Sequence, residues 1–183
     1  YDLSYEVAGG NSLQTNAMLQ SLIDCLLTID DPYDPVYFLA LLRRFFGFSD
    51  RELFLFKEAG GQFNFLTPIP AGLSEPLRKR FGQVVERLGR YQQWMRSLPY
   101  VTAVVRIAED LGLFAKAAAA SEGNMQAGGL FKAIERLRQQ SWDFDSASDV
   151  IQFLREVLNA EETDGCTALA PDANVVRIMY LLM

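Results

Sequence analysis

The chain has 183 residues, a formal net charge of −6, half of its residues hydrophobic and no histidine. The missing histidine excludes Ser-His and Cys-His nucleophile pairs and removes the commonest metal ligand, and two separated cysteines, Cys25 and Cys166, do not make a zinc site. The length fits one domain, no apolar run reaches the roughly 20 residues of a membrane-spanning helix, and no basic-apolar leader pattern is seen, so a reduced cytoplasmic protein is expected.

Leu3 to Val7 alternate like a short strand that Gly9-Gly10 ends. From Thr15 the period becomes helical, with Met18, Leu19, Leu22, Ile23, Leu26 and Leu27 on one stripe and Asp30-Asp31-Pro32 as the stop. Asp34 caps the next helix and Pro35 occupies its first turn, where a missing N–H costs nothing. Val36, Phe38, Leu39, Leu42 and Phe45 form its expected apolar face, and Gly47 is its C-terminal glycine. Ser49-Asp50-Arg51-Glu52 is a capping box that opens a short helix ending near Gly60-Gly61.

Residues 62–73 are irregular. Ser74 caps a long helix over about 75–97, with Leu77, Phe81, Val84, Leu88, Tyr91 and Met95 as its buried stripe. Pro99 separates it from a helix over about 100–111 that Gly112 closes, and Lys116–Ala120 continue as a short helical piece. Asn124 to Gln140 are expected to be helical despite Gly128-Gly129. The Ser146–Asp149 region caps a last helix carrying Val150, Ile151, Leu154, Val157 and Leu158. An acidic linker and a closing strand at Val175–Met179 follow.

Charge is uneven along this order. After residue 142 there are eight acids (Asp143, Asp145, Asp149, Glu156, Glu161, Glu162, Asp164, Asp172) and two bases (Arg155, Arg177), which accounts for the whole excess. The first 142 residues are balanced, so the acidity does not exclude a polyanion partner there.

A helical body between two short strands leaves each strand needing a partner. The strands therefore read as stubs of one parental sheet, and the helical body as an insertion into it. The stretch "YEVAGGNSLQTNAMLQSLIDCLLTIDDPYDPVYFLALLRRFFGFSDREL" resembles the part of UvrD-like and RecB-like superfamily 1 DNA helicases that leaves the second RecA-like domain and enters the helical 2B insertion. The closing "VVRIM" is similar to the strand that returns from it. The Thr-x-His that follows in the family is replaced here, with Tyr180 and Leu182 at those places.

The resemblance implies a mostly α fold: a compact bundle of about seven helices with short terminal strand stubs from a parental RecA-like sheet. Residues 1–10 would be the outgoing stub, 11–160 the 2B-like insertion, 161–174 an acidic linker and 175–183 the returning stub. It implies a piece of an ATP-dependent DNA helicase of repair or recombination. The piece would orient duplex or junction DNA, weakly and without sequence preference, and modulate unwinding by the remainder of the helicase. No G-x-x-x-x-G-K-[ST] phosphate loop is present, so ATP and Mg²⁺ are implied for the parent only. No residue is assigned a catalytic or metal-binding role, and no membrane partner is expected.

For DNA, the resemblance singles out the turn Gly47, Ser49 and Arg51, flanked by Arg43 and Arg44. A helix N-terminus offers unpaired N–H groups to phosphate, although Asp50 in the same first turn repels one. Arg80 and Arg87, seven residues apart on the long helix, lie on nearly one bearing and are the second candidate pair. The alternative reading is a helical protein–protein interaction domain with no DNA binding of its own.

Overall fold

The computed structural model describes residues 5–8, 16–120, 123–140, 144–164 and 176–179. The described residues are mostly helical: eight helices, α1 (Ala17–Asp30), α2 (Pro35–Arg44), α3 (Asp50–Glu58), α4 (Glu75–Ser97), α5 (Tyr100–Asp110), α6 (Leu113–Ala119), α7 (Gly123–Gln139) and α8 (Ala147–Asp164), between the strands β1 (Tyr5–Ala8) and β2 (Val176–Met179).

The local signals in the sequence set most of these boundaries. Asn16 caps α1 by accepting the Leu19 N–H at 3.0 Å. Asp34 caps α2 through the Val36 N–H at 2.8 Å, with Pro35 behind it. Ser146 and Asp149 exchange reciprocal bonds at the start of α8, 2.9 and 3.2 Å long. Ser74 stands at the N-cap of α4 but makes no side-chain cap bond, so Pro76 and Glu75 define that end.

The expected mostly α bundle of about seven helices is found, with eight among the described residues: Gly112 adopts φ +69°, a left-handed conformation that ends α5 and starts α6 as a separate helix. Two expectations are corrected. The acidic linker expected from residue 161 begins as helix, since α8 runs on to Asp164. Val36 is 62% exposed rather than on the inner face of α2, which is carried by Phe38, Leu41 and Leu42.

The core is continuous through the helices. α1 is buried over Leu19, Leu22, Ile23, Cys25 and Leu26 and packs against α2, α4, α6, α7 and α8, so it is the central helix. The six-residue stripe of α4 is buried as its spacing predicts. Phe81 of α4 stacks on Phe56 of α3 at 4.2 Å between centroids and contacts Phe48 of the α2–α3 turn at 4.5 Å. This aromatic trio fixes α3 and the turn onto α4.

β1 and β2 pair in parallel, in the register Tyr5↔Val176, Glu6↔Arg177, Val7↔Ile178 and Ala8↔Met179. Parallel strands need a crossover connection, ordinarily a single helix. Here all eight helices lie between the two strands. Residues 3, 4 and 175, which the sequence reading also assigned to the strands, lie outside the described residues.

Candidate nucleic-acid interface

The candidate surface starts at the C-terminal end of α2. Backbone N–H groups of Phe45 and Phe46 both bond to the Leu41 carbonyl, and Phe48 donates to Leu42 at 2.9 Å. Between them Gly47 takes φ +66°, which lets the chain reverse into α3. Phe48 turns inward and is 3% exposed. The turn is thus held from below by a buried ring, and its polar rim faces outward.

The start of α3 is closed by its own side chains. The Glu52 carboxylate accepts from the Ser49 N–H at 2.7 Å and the Ser49 hydroxyl at 2.8 Å, and Ser49 Oγ accepts the Glu52 N–H at 3.3 Å. This is the capping box read from the sequence. Two of the N–H groups that a phosphate could use are therefore taken, and a carboxylate stands beside them. The N–H groups of Asp50 and Arg51 are left at the helix end.

The arginines divide into two groups. Arg80 and Arg87 are turned onto the protein itself. Arg80 Nη2 donates to the carbonyls of Phe46 and Gly47 at 2.7 and 2.8 Å, its Nη1 pairs with Glu52, and its guanidinium lies over the Phe48 ring at 4.0 Å. Arg87 donates to the Asp110 backbone carbonyl at 2.8 Å and pairs with the Asp110 carboxylate at 3.4 Å. Arg90 and the Tyr91 hydroxyl converge on the same carboxylate. Although seven residues apart on α4, the two arginines serve different contacts, one at the α2–α3 turn and one at the end of α5. Both are spent as structural cross-links, which removes the reason for reading them as a phosphate track.

Arg43, Arg44 and Arg51 stay outside. Arg43 pairs with Asp50 at 3.0 Å across the turn, with both side chains more than half exposed. Arg44 is 63% exposed and reaches Asp24, which is 4% exposed, at 3.5 Å. Arg51 is exposed and has no ion-pair partner among the described residues. Burial raises Asp24 above the ordinary carboxylate range, against the lowering influence of its Gln20 hydrogen bond and of Arg44 and Arg155. The Ser49 backbone N–H holds Glu52 below that range, with burial opposing and the Ser49 hydroxyl and Arg80 assisting.

Two cations reach this region that no local pattern points to. Lys116 of α6 lies with Nζ 3.5 Å from the centroid of Phe45, and burial and the nearby Arg87 lower its pKa. Arg155 of α8 donates to the Tyr37 hydroxyl on α2 at 3.2 Å, across 118 residues of sequence. Both depend on helix packing, so spacing along the chain could not place them. Trp94 is half-buried, with the Arg106 guanidinium 4.4 Å from its ring.

Among the described residues no group of three or more metal-ligating side chains comes together, and no helix is long and apolar enough to cross a membrane. Comparison with protein-family models gives no match, and neither does comparison with curated proteins.

Proposed function

We propose that this chain is the helical 2B-like insertion of an ATP-dependent DNA helicase of UvrD/RecB type, acting in repair or recombination, and that it orients duplex DNA and modulates unwinding without catalysing a step itself. The observation that carries this reading is the parallel pairing of β1 with β2 across the whole helical body. A parallel pair is ordinarily part of a larger sheet covered on both faces, and a two-stranded one has both edges open. A helical body whose entry and exit strands are neighbours in such a sheet fits an insertion. The RecA-like domain of the resemblance would supply the remaining strands.

The contribution to DNA is electrostatic. Arg43, Arg44 and Arg51 offer guanidinium groups around one exposed turn, and guanidinium matches phosphate without reading bases. Asp24 and Asp50 offset part of that charge, which suits weak binding. The sequence holds no phosphate loop, and ATP hydrolysis is assigned to the parent. The test is titration of a labelled duplex at several salt concentrations. Phosphate contacts release counterions and weaken steeply with salt.

One feature favours the second reading, a protein-binding helical domain. Tyr33 and Leu66, 81% and 52% exposed, border a groove of about 480 Å³ with Leu26, Ile29 and Met95. Asp30 and Arg96 also line it, so binding through its apolar side chains would depend on salt less steeply than phosphate contact does, which the same titration separates.

A further inference from the structure

We infer that Arg155 of α8 is a phosphate contact of the same surface as Arg44, the two residues standing toward opposite ends of one face of α2. This rests on the DNA reading above and extends it to a residue that the resemblance does not single out. Tyr37 and Arg44 are seven residues apart on α2, hence two turns apart on nearly one bearing, roughly 10 Å along the helix. Arg155 is anchored at the Tyr37 end by its bond to the hydroxyl and lies 5.9 Å from the ring centroid. Arg44 occupies the other end.

Charge bookkeeping supports availability. Asp24 is the one acid that Arg44 touches among the described residues, and both Arg44 and Arg155 act on it electrostatically. One buried carboxylate cannot neutralise two guanidinium groups. Arg155 is exposed and has no ion pair with a carboxylate among the described residues. Its neighbour Glu156 is turned away, bonding to Gln152 and lining a groove with Arg136, Phe153 and Val157 on another side of α8. Arg155, the basic residue of α8, thus faces α2.

The experiment is a duplex titration over a range of salt for the wild type, Arg44→Ala, Arg155→Ala, Arg155→Lys and the control Arg136→Ala, with thermal melts of each. Arg155→Ala and Arg44→Ala are each expected to weaken binding several-fold and to flatten the salt slope by about 0.9. Arg155→Lys should restore most of both, and Arg136→Ala should change neither. Loss with Arg44→Ala but none with Arg155→Ala overturns the inference and leaves the DNA reading standing. Equal losses with Arg155→Ala and Arg136→Ala also overturn it, as a general charge effect. No duplex binding by the wild type at low salt overturns both.

Discussion

Arg80 Nη2 on α4 donates to the backbone carbonyl of Gly47, 33 residues earlier, at 2.8 Å. The same guanidinium bonds to the Phe46 carbonyl, pairs with Glu52 and covers the Phe48 ring. One side chain thus ties the end of α2, the turn and the start of α3 to the longest helix. Arg80→Ala removes all four contacts and leaves two carbonyls without their donor. A loss of about 1–3 kcal/mol is expected in chemical denaturation. Arg80→Lys should recover little, because a point charge cannot reproduce the fork. Gly47→Ala should cost about 1 kcal/mol through its φ of +66° alone, since the nearest atom to an added Cβ is Arg80 Nη2 at 3.8 Å. An unchanged denaturation midpoint for Arg80→Ala would show that the turn stands without it.

The capping box predicts a pH dependence. The folded Glu52 carboxyl is held low by the Ser49 N–H, against burial and with help from the Ser49 hydroxyl and Arg80. A depressed folded pKa gives stability that is full above the unfolded value, about 4.3, and is lost as pH falls through the folded one. Asp110 works in the same direction: burial alone would raise it, but the Tyr91 hydroxyl, Arg90 and Arg87 outweigh that and hold it low. Melting temperature should therefore fall on acidification below about pH 5, and Glu52→Gln should make the fall shallower. The check is a series of melts from pH 7 to pH 3 for both proteins.

Asp24 has the opposite sign. Burial raises its folded pKa, so its favourable contribution is present below the unfolded value and disappears as pH rises through the folded one. Its partner Arg44 is 63% exposed and is solvated if the pair is removed. Asp24→Asn should thus be more stable than the wild type at pH 7, with the difference shrinking toward pH 3.5. A variant less stable at pH 7 would mean that the Arg44 pair outweighs the cost of burying the carboxylate.

No phosphate loop occurs in the chain, so the purified protein is expected to release no phosphate from ATP above a no-protein blank, with or without DNA. DNA-stimulated release by a preparation free of contaminating ATPase would contradict this.

The helices were legible because their signals are local. Asp34-Pro35, Ser49 with Glu52, and the stripe from Leu77 to Met95 each lie within one element, and each is found as its spacing predicts. The first strand was legible from alternation and the last from its apolar run, and β1 and β2 are neighbours in one sheet. The surface was less legible. Helical periodicity puts Arg80 and Arg87 on one bearing, but it cannot show that the α2–α3 turn, α3 and α5 supply carbonyls and carboxylates there. Arg155 was hidden for the converse reason. It sits in an acidic stretch, and only the packing of α8 on α1 brings it to Tyr37. Gly112 was read as a helix end, but its left-handed φ, which makes α6 separate, is a conformation that sequence does not display.

Asp50 tests whether the exposed turn is held in check by its own acid. Its carboxylate takes the Nε of Arg43 at 3.0 Å, the edge that a phosphate would use. Asp50→Asn should strengthen duplex binding by a few-fold at low salt, and more than the same change at the exposed Glu86, Glu86→Gln. Equal gains from both would reduce the effect to net charge.

The most direct test of the account is the duplex affinity of Arg43→Ala/Arg44→Ala measured by fluorescence anisotropy from low to physiological salt. The account predicts wild-type binding that is sequence-independent and weak, with a Kd of about 10⁻⁴ to 10⁻⁶ M at physiological salt. The double substitution should weaken it about equally for every duplex and flatten the salt slope by up to about 2. Undetectable wild-type binding at low salt, or affinity and slope unchanged by the double substitution, would contradict it and leave Gly47 to Arg51 as a capped turn in a protein-binding domain.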